Sequence, residues 1–349
     1  MSAESKSSKE LSARDRLEPG EKPTLKTLSR LSGMAVPTVS RALKDAPDIS
    51  DSTKAKVRRI AQEVGYVPNR AGVRLRTGKT NVIALVLGMD RHMMNHTSDL
   101  IRSVSMELTG TPYHLIAMPR QHGEDPLERI RYLVETGSAD GVIMNQTTKD
   151  DPRAAYMMER NFPFATHGRT SDATPHAYYD FDNRVFGRLA VRKLASNGRK
   201  KILAILPPVH HFYSQDTRRG LEEAAKDMGV ELFFNETVDS DSDIGRIDDY
   251  FLSYLSSVPE IDAIVGSSPA SVMAAVSAAE GLGRVVGTDI DVLGRESIRF
   301  LKQFRKEVIV MHEDVTKAGR FLTRAVLKAI ADPAAPPMQG MDVPEPIFN

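Results

Sequence analysis

One short run of side chains, residues 36–41, has the groups that read the edges of DNA bases. Arg41 carries a planar guanidinium that can pair bidentately with guanine, worth about 1–3 kcal/mol of discrimination against another base. Val36 and Pro37 are apolar and would contact a thymine methyl group or respond to groove shape, while Thr38 and Ser40 add hydroxyl groups. In isolation Arg41 would be interpreted as a solvated helix arginine, so the interpretation depends on the elements around it.

Four further polar side chains suit phosphate oxygens better than base edges, namely Lys44, Ser50, Thr53 and Lys54. Such contacts position a protein on DNA without reading its sequence. The net charge of the whole chain, +1, argues against a nucleic-acid partner, but residues 1–80 contain 17 Lys and Arg against 9 Asp and Glu, and the remaining residues contain 30 against 37. A basic segment on an acidic body is expected where one end meets phosphates, and the alternative is a basic, solvated tail.

Three short helices are predicted within residues 23–68, and they would position these side chains. Thr24 is a suitable N-cap for the first helix, which carries leucines at helical spacing. Gly33 supplies the permissive backbone of a tight turn, Pro37 suits the first turn of the second helix, and Gly65 ends the third. This pattern describes a helix-turn-helix, whose second helix enters the major groove with its N-terminal residues toward the bases.

Two stretches of this segment resemble the headpiece of the LacI/GalR family of repressors. The first covers residues 24–43 and contains Thr-Val-Ser-Arg at 38–41, and the second is Gly65-Tyr-Val-Pro-Asn-Arg-Ala, with Tyr-x-Pro-Asn at 66–69. The two motifs are specific when they occur together at this spacing. The resemblance implies a sequence-specific transcription regulator that acts as a repressor on double-stranded operator DNA.

The resemblance also implies that residues 69–80 form a hinge that becomes helical only on operator DNA. Leu75 matches the leucine that each subunit of the family wedges into the minor groove, and its neighbours are basic. An apolar wedge among basic side chains suits the kinking of a base step. The same resemblance assigns DNA contacts to Tyr66, Asn69 and Arg70. The alternative is that this segment is only a basic linker.

Residues 1–22 are rich in Ser, Lys and Glu, which predicts a disordered arm. The arm has no apolar core of the kind found in secretory signals, and the longest apolar runs, such as residues 82–87, are too short to span a bilayer. The chain contains no cysteine, which excludes disulfides and zinc–thiolate sites and suits a reducing compartment. We therefore expect a cytoplasmic protein that associates with the nucleoid.

Residues 81–338 alternate between apolar strands and amphipathic helices, in a βαβα order that occurs twice. The pattern predicts an effector-binding and dimerisation domain with two doubly wound parallel-sheet lobes, as in periplasmic binding proteins, joined to the α-helical headpiece. One lobe is expected at about 81–180 with 310–335, and the other at about 181–309 with the C-terminal segment. Ligands in such folds bind outside the carboxyl ends of the strands, so we expect one site in the cleft between the lobes.

Polar residues at the predicted strand ends are the candidates for that cleft. The family resemblance continues loosely at residues 138–145 and 166–169, and it favours Asn145 and Arg169. The chain departs from the family's pattern near the cleft, for example at Thr217, where an arginine is usual. The full set that we expect to contact an effector is Asp90, Arg91, Asn145, Arg169, Asp182, Arg218, Ser268, Glu296 and Glu313.

Carboxylate, amide and guanidinium groups pair with sugar hydroxyls, so the expected effector is a small sugar, polyol or sugar derivative. The corresponding function is allosteric control of a carbohydrate-utilisation operon. Within the same family, a purine-type regulator and a regulator that depends on a protein co-repressor remain alternatives. A solute-binding protein for transport shares the sensor fold but has no DNA-binding headpiece.

No catalytic arrangement is predicted. The nine histidines are scattered without metal-ligand spacing, and there is neither a Gly-x-Ser-x-Gly elbow nor a phosphate-cradling glycine loop. We therefore expect no enzyme activity, no metal ion and no cofactor. Operators for such headpieces are near-palindromic, so we expect a two-fold homodimer. Residues 331–349 contain five prolines and no heptad pattern, which gives no support to a tetramerising coiled coil.

Overall fold

The chain divides into two units, residues 1–80 and residues 81–349. The structure, a computed structural model, describes residues 12–18, 20–67, 74, 77–88, 94–120, 123–171, 175–235, 237–297 and 299–346. Among these described residues, no helix is long and apolar enough to cross a membrane.

The headpiece in the first unit consists of three helices, α1 (Leu25–Ser32), α2 (Val36–Leu43) and α3 (Asp51–Glu63). Thr24 caps α1, because its hydroxyl accepts a hydrogen bond from the backbone N–H of Thr27 at 3.2 Å. Gly33 ends α1 with a left-handed φ of 72°, which glycine adopts without a steric penalty. The three helices enclose one small apolar core, centred on the fully buried Leu28, Val39, Ala42 and Val57.

The prediction of a disordered arm at residues 1–22 is corrected for its second half. A 3-10 helix, Ala13–Arg16, packs its first residue into the headpiece core, and the backbone N–H of that residue donates to Glu63 at 3.2 Å. Further along, the carboxylate of Glu21 accepts a hydrogen bond from Arg30 at 2.7 Å. These contacts depend on the folded headpiece, so composition alone does not reveal them. The first eleven residues lie outside the described part of the chain.

The first lobe of the second unit contains a six-stranded parallel sheet. Its strands are β1 (Val82–Gly88), β2 (His114–Arg120), β3 (Gly141–Met144), β4 (Phe164–His167), β5 (Ala177–Phe181) and β11 (Gln339–Asp342), in the order β11-β5-β4-β3-β1-β2. One face is covered by α4 (Met94–Glu107) and α12 (Val315–Ala331), and the other by α5 (Glu128–Glu135) and α6 (Pro152–Glu159). Both faces are therefore buried, which explains why every residue of β1 is buried.

The second lobe contains a five-stranded parallel sheet. Its strands are β6 (Lys201–Ile205), β7 (Glu231–Phe234), β8 (Ala263–Gly266), β9 (Asp291–Glu296) and β10 (Ile309–His312), in the order β10-β9-β8-β6-β7. One face is covered by α7 (Asn183–Ser196) and α8 (Phe212–Met228), and the other by α9 (Ile244–Ser257), α10 (Pro269–Gly281) and the short α11 (Leu301–Phe304). The prediction of two doubly wound parallel sheets is confirmed.

The predicted boundaries of the lobes need two corrections at the C-terminal end. Strand β10 pairs with β9 and belongs to the second lobe, although residues from 310 onward were expected in the first. Strand β11 pairs with β5 in the first lobe, although the C-terminal segment was expected in the second. The short strands β10 and β11 lack a pattern that identifies their partners, so pairing decides their lobe. The chain thus crosses between the lobes near residue 313.

Helices α7 and α8 pack at close range because glycine lies at both points of contact. A Cβ atom at Gly220 would lie 2.0 Å from the backbone oxygen of Arg184, and one at Gly187 would lie 2.5 Å from the backbone oxygen of Thr217. Neither distance is possible between non-bonded atoms, so only glycine fits. The first turn of α8 faces the first lobe, and this packing fixes where that turn lies.

Candidate nucleic-acid interface and ligand cleft

The outer face of α2 carries most of the side chains that the sequence assigned to DNA bases. Val39 and Ala42 anchor the helix in the headpiece core, while Pro37 and Arg41 are exposed and Ser40 is half-buried. Pro37 lies in the first helical turn, where its missing N–H leaves no hydrogen bond unmade. The helix therefore presents its polar residues outward from a fixed backbone, as a recognition helix requires.

Acidic residues in the loop between α2 and α3 pair with the basic side chains around them. Arg41 forms an ion pair with Asp48, and the Arg41 side chain is still 57% exposed. Lys54 and Arg58 both approach Asp45, at 3.3 and 2.8 Å. Hydrogen bonds, first from Lys54 and then from Arg58, hold the pKa of Asp45 below its usual value. Arg41 can exchange its exposed partner for a base, whereas Lys54 is engaged within the headpiece.

Three other predicted DNA contacts also have structural roles in the headpiece. Ser50 caps α3, and its hydroxyl accepts from the backbone N–H of Thr53 at 3.3 Å and lies 3.0 Å from the Thr53 hydroxyl. Tyr66 is half-buried and packs against the headpiece core, which raises the pKa of its phenol. Lys44 is exposed directly after α2. The predicted contacts Asn69, Arg70 and Leu75 lie outside the described residues, and so does most of the predicted hinge.

In the second unit, the carboxyl ends of strands from both lobes meet at a polar cleft. An inner pocket of about 50 Å³ is lined by His96, Thr97, Asn145, Gln146, His167, Gly168, Asp180, Phe181, Asn183, Tyr213, Arg295 and Glu313. A wider mouth of about 680 Å³ is lined by Gly88, Arg120, Gly123, Gln146, Pro208, His210, His211, Thr237, Asp239, Asp241, Ser242, Asp243 and Arg246. The two spaces share Gln146 as a lining residue, so they are neighbours in the cleft.

Glu313 is the centre of the inner pocket. Its Oε1 atom lies 3.6 Å from His96 Nε2 and 3.8 Å from His167 Nε2, while its Oε2 atom lies 3.4 Å from Arg295 Nε. Burial alone would raise the pKa of Glu313, but the positive charge of Arg295, and then the interaction with His96, outweigh burial and hold this pKa below its usual value. Glu313 is therefore a buried carboxylate that stays ionised.

His167 and His96 lie against each other in this pocket, with ring centroids 5.0 Å apart and an interplanar angle of 25°. Burial, and then the positive charge that His96 would carry, lower the pKa of His167 to about 3. His167 is therefore a neutral imidazole at physiological pH, and a neutral imidazole has one nitrogen lone pair that can accept a hydrogen bond or bind a cation.

Arg169 connects the two lobes beside the pocket. Its Nε atom donates to Asp180 of β5 at 2.8 Å, and its Nη2 atom donates to Asp216 of α8 at 2.6 Å. Burial raises the pKa of Asp180 to about 6, and Arg169 only partly counteracts this rise. Two of the three guanidinium nitrogens are thus committed to protein carboxylates, and Arg169 is not among the residues that line the inner pocket.

Asn145 follows β3 and lines the inner pocket, as the sequence predicted. Its Oδ1 atom accepts from the backbone N–H of Gly88 at 2.9 Å, which ties the end of β3 to the end of β1. The loop after it is fixed by the buried Arg153, which donates to the backbone oxygens of residues 145 and 146 and pairs with Asp151 at 2.7 Å. Asn145 is therefore presented to the cleft by a rigid loop, and among the predicted effector residues that the structure describes, only Asn145 and Glu313 line that pocket.

Four predicted effector residues have other partners, and none lines the inner pocket or the mouth. Ser268 is buried as the N-cap of α10, and Asp182 caps α7. Glu296 is buried and accepts hydrogen bonds from two backbone N–H groups, those of residues 300 and 301, at 2.9 and 2.7 Å. Arg218 lies on the outer side of α8, where it pairs with Glu222 at 2.9 Å. These four side chains thus lie away from the inner pocket and the mouth, while Asp90 and Arg91 lie outside the described residues.

Ten of the twelve residues that line the inner pocket were not predicted from the sequence, among them His96, His167, Asp180, Tyr213 and Arg295. The lining residue of β9 was not predicted because successive side chains of a strand point to opposite faces, so adjacent residues face different surroundings. The acidic residue at 296 was chosen there, whereas its neighbour Arg295 faces the cleft. His167 lies within the stretch 166–169 that the sequence had singled out, two positions from the arginine that was chosen. His96 has no local signal, since it lies within a helix.

Comparisons with known proteins agree with both halves of this architecture. Residues 24–69 match the family model for bacterial regulatory proteins of the lacI family, and residues 83–322 match the model for periplasmic binding proteins and the sugar binding domain of the LacI family. The chain belongs to the LacI family. It is therefore a helix-turn-helix transcription regulator with a sugar-binding domain of that family.

Three relatives illustrate the similarity. The HTH-type transcriptional regulator AglR of Rhizobium meliloti (strain 1021) is 30% identical over 78% of this chain and 78% of its own length. The structure of the transcriptional regulator CelR–cellobiose complex is 22% identical, with a TM-score of 0.68 over 93% of this chain and 98% of its own. The Lac repressor dimer bound to operator and the anti-inducer ONPF is 18% identical, with a TM-score of 0.81 over 93% of this chain and 97% of its own. At these identities the two structures establish the fold alone.

Proposed function

We propose that this regulator binds a near-palindromic operator as a homodimer and represses carbohydrate-utilisation genes until a sugar occupies its cleft. The outward face of α2 supports the proposed DNA binding, because Arg41 is exposed there and the opposite face of the helix is anchored in the core. Arg41, Thr38 and Ser40 would contact base edges, and Lys44 would contact phosphate. The protein would act in the cytoplasm, where operator DNA is found, and it would have no catalytic activity, in keeping with a family made of transcriptional regulators.

The size of the cleft favours an effector longer than a monosaccharide. The inner pocket of about 50 Å³ suits the end of a ligand, and the mouth of about 680 Å³ lies within the range of small-molecule sites, roughly 300–1,000 Å³. Asn145, Glu313 and Tyr213 would hold the inner end, and the charged mouth would hold the rest. A relative of this chain, CelR, has been crystallised with the disaccharide cellobiose. We therefore propose a di- or trisaccharide as the effector.

Selection of operator sequences by the full chain tests the DNA-binding half. A random pool of double-stranded DNA is enriched on the protein, and binding of the selected sequence is then measured by fluorescence anisotropy at two salt concentrations. We expect an inverted repeat with half-site centres about one helical turn, roughly 10 bp, apart. Affinity should fall steeply with salt, because phosphate contacts release counterions. The absence of any enriched repeat would contradict the proposal.

Titration of the protein–operator complex with sugars tests the effector half. Glucose, cellobiose, maltose and a trisaccharide are compared, with a purine base as the probe of the alternative within the family. We expect a di- or trisaccharide to lower operator affinity, and the operator should weaken that sugar's binding by the same factor. A response to the purine alone, or to glucose alone, would overturn the proposed ligand class without affecting the operator result.

A further inference from the structure

We propose that the inner pocket binds a divalent transition-metal ion, with Zn²⁺ as the representative, through His96 Nε2, His167 Nε2 and Glu313 Oε1. One ligand atom from each of the three residues lies within 4.8 Å of the other two, and the Nε2 atoms of both histidines approach the same carboxylate oxygen. The residues are 71 and 146 positions apart in the chain, so the grouping arises only from the fold. The inference shares the cleft with the proposed sugar site but does not rest on a sugar being the effector.

The distances suit a bound ion better than direct hydrogen bonds. The two nitrogen–oxygen distances, 3.6 and 3.8 Å, exceed the 2.7–3.2 Å typical of an N–H···O hydrogen bond. A tetrahedral Zn²⁺ ion with bonds of about 2.1 Å separates its ligand atoms by about 3.4 Å. A contraction of each nitrogen–oxygen distance by a few tenths of an ångström would therefore match this spacing, and side-chain rotation can supply it.

The chemistry of the three ligands also fits. Imidazole nitrogens and a carboxylate oxygen suit Zn²⁺ and its neighbours in the first transition series, whereas Mg²⁺ and Ca²⁺ prefer sites made of oxygen. Two histidines and one glutamate form a three-ligand set that leaves a fourth position open. All three residues line the inner pocket, so the fourth position faces the space that a ligand enters.

Arg295 orients the carboxylate for this role. Its Nε atom lies 3.4 Å from Glu313 Oε2, and its Nη1 atom donates to Asn183 Oδ1 at 2.7 Å. Arg295 thus holds one oxygen of Glu313, and the other oxygen faces the two imidazoles. Residues that do not bind a metal themselves often orient its ligands in this way. Because Arg295 adds a positive charge beside the ion, the open position should favour an oxygen ligand from water or from a sugar.

The ion would join two parts of the sensor domain. His96 lies in the first turns of α4 and His167 ends β4, so both belong to the first lobe. Glu313 follows β10 of the second lobe, at the point where the chain crosses between lobes. A ligand that binds only the folded state stabilises it, so the ion should raise the unfolding temperature. It should also restrict movement between the lobes.

Calorimetric titration of the untagged full chain with ZnCl₂ tests the proposal. The protein is first dialysed against a chelator and then placed in a non-chelating buffer, without DNA or sugar. We expect one ion per chain and a higher unfolding temperature. His167→Gln and His96→Gln should each weaken binding more than about 100-fold, since even the loss of a partner outside the ligand shell costs roughly 10–100-fold. His114→Gln, at an exposed histidine of β2, is the matched control and should bind as the parent does.

Two outcomes would overturn the metal site. One is the absence of stoichiometric Zn²⁺ binding to the parent chain, and the other is binding that His96→Gln and His167→Gln leave unchanged. Melting curves of the metal-free variants show whether each is folded, and if His167→Gln is not, the test passes to His96→Gln, whose side chain is less enclosed by the sheet. The visible spectrum of the Co²⁺-loaded parent chain gives a second readout, because a tetrahedral site absorbs strongly. A negative result would leave the operator and sugar titrations standing.

Discussion

The guanidinium of Arg169 lies 2.6 Å from the carboxylate of Asp216, and this pair joins the loop after β4 in the first lobe to the first turns of α8 in the second. The Arg169 side chain is 20% exposed and the Asp216 side chain 8% exposed, so water screens the pair only weakly. The same arginine pairs with Asp180 at 2.8 Å. We call the Arg169–Asp216 contact the interlobe pair, and we expect it to help to hold the lobes in their present arrangement.

Asp216→Asn should destabilise the protein measurably. The substitution removes the charge that Arg169 faces across the lobes, and a hydrogen bond to a charged group is worth about 1.5–3 kcal/mol. Part of this loss is offset, since burial raises the pKa of Asp216 and so makes its charge costly. We therefore expect the free energy of unfolding to fall by about 1–2 kcal/mol in urea denaturation.

Glu223→Gln is the matched control for the interlobe pair. Glu223 lies on the same helix and also pairs with an arginine, Arg184, but there both side chains are more than a third exposed. Exposed pairs contribute about 0–1 kcal/mol, so this variant should stay close to the parent. Equal losses in Asp216→Asn and Glu223→Gln would show that the interlobe pair has no special role.

Gly220→Ala should separate two helices that touch at the backbone. The added Cβ would lie 2.0 Å from the backbone oxygen of Arg184, so α7 and α8 must move apart or the helices must bend. Overpacking of this kind costs about 1–3 kcal/mol, and it should exceed the gain of about 0.5–1 kcal/mol from a better helix former. Thermal unfolding followed by circular dichroism measures the net loss.

The control for that substitution is Gly281→Ala, at the end of α10. There the added Cβ would meet only the Leu252 Cδ1 atom, at 3.7 Å, which is ordinary van der Waals contact. We expect an unfolding temperature equal to or slightly above that of the parent. A Gly220→Ala variant as stable as Gly281→Ala would mean that α7 and α8 do not pack as closely as described.

Much of the fold was predictable, because local signals such as helix caps and turn residues agree with the hydrophobic spacing of the longer segments. The helix-turn-helix follows from a capping threonine, a glycine turn and a proline in a first turn, each of which has a direct physical cause. The two parallel sheets follow from the repeated alternation of apolar strands and amphipathic helices in residues 81–338. The lobes to which β10 and β11 belong were predicted wrongly, since strands this short carry no pattern that identifies their pairing partner.

The position of the cleft was predictable from the sequence, but only some of its lining residues were. Topology puts a site at the carboxyl ends of the strands, and Asn145 and Glu313 line the inner pocket. The choice between adjacent residues at a strand end depends on register, and a shift of one position replaces Arg295 by Glu296. The approach of His96 to His167 depends on how α4 packs beside β4, a tertiary relationship that spacing along the chain does not encode.

Acidification should weaken the fold through His211. This side chain is buried and stacks on Tyr213 with centroids 5.1 Å apart, and the backbone of His211 forms an isolated β-bridge with Thr148 of the first lobe. Burial, and then the positive charge that His210 would carry, lower the pKa of His211 to about 3, against an ordinary 6.5. Below pH 6.5 the unfolded chain binds a proton there that the folded chain does not, so stability present above pH 6.5 is lost as pH falls toward 3.

His211→Gln should therefore flatten the dependence of stability on pH between 7 and 5. The parent should lose up to about 1.4 kcal/mol per pH unit more than this variant, which is the value for one proton. Urea denaturation at several pH values measures the slope, and all other titrating groups remain in both proteins. His210→Gln, at the exposed neighbour, should keep the parent's slope. Identical slopes in His211→Gln and the parent would show that His211 is protonated in the folded protein.

Arg41→Ala should reduce operator binding far more than general DNA binding. A bidentate arginine–guanine pair is worth about 1–3 kcal/mol, roughly a 5- to 150-fold loss of affinity for the selected operator. Arg59→Ala removes the same charge from the outer side of α3, where the side chain is 72% exposed. Anisotropy titrations with operator and with unrelated DNA compare the two variants. A loss that is equal for both variants, or equal on both DNAs, would reduce Arg41 to a phosphate contact and leave base recognition to the other residues on the outer face of α2.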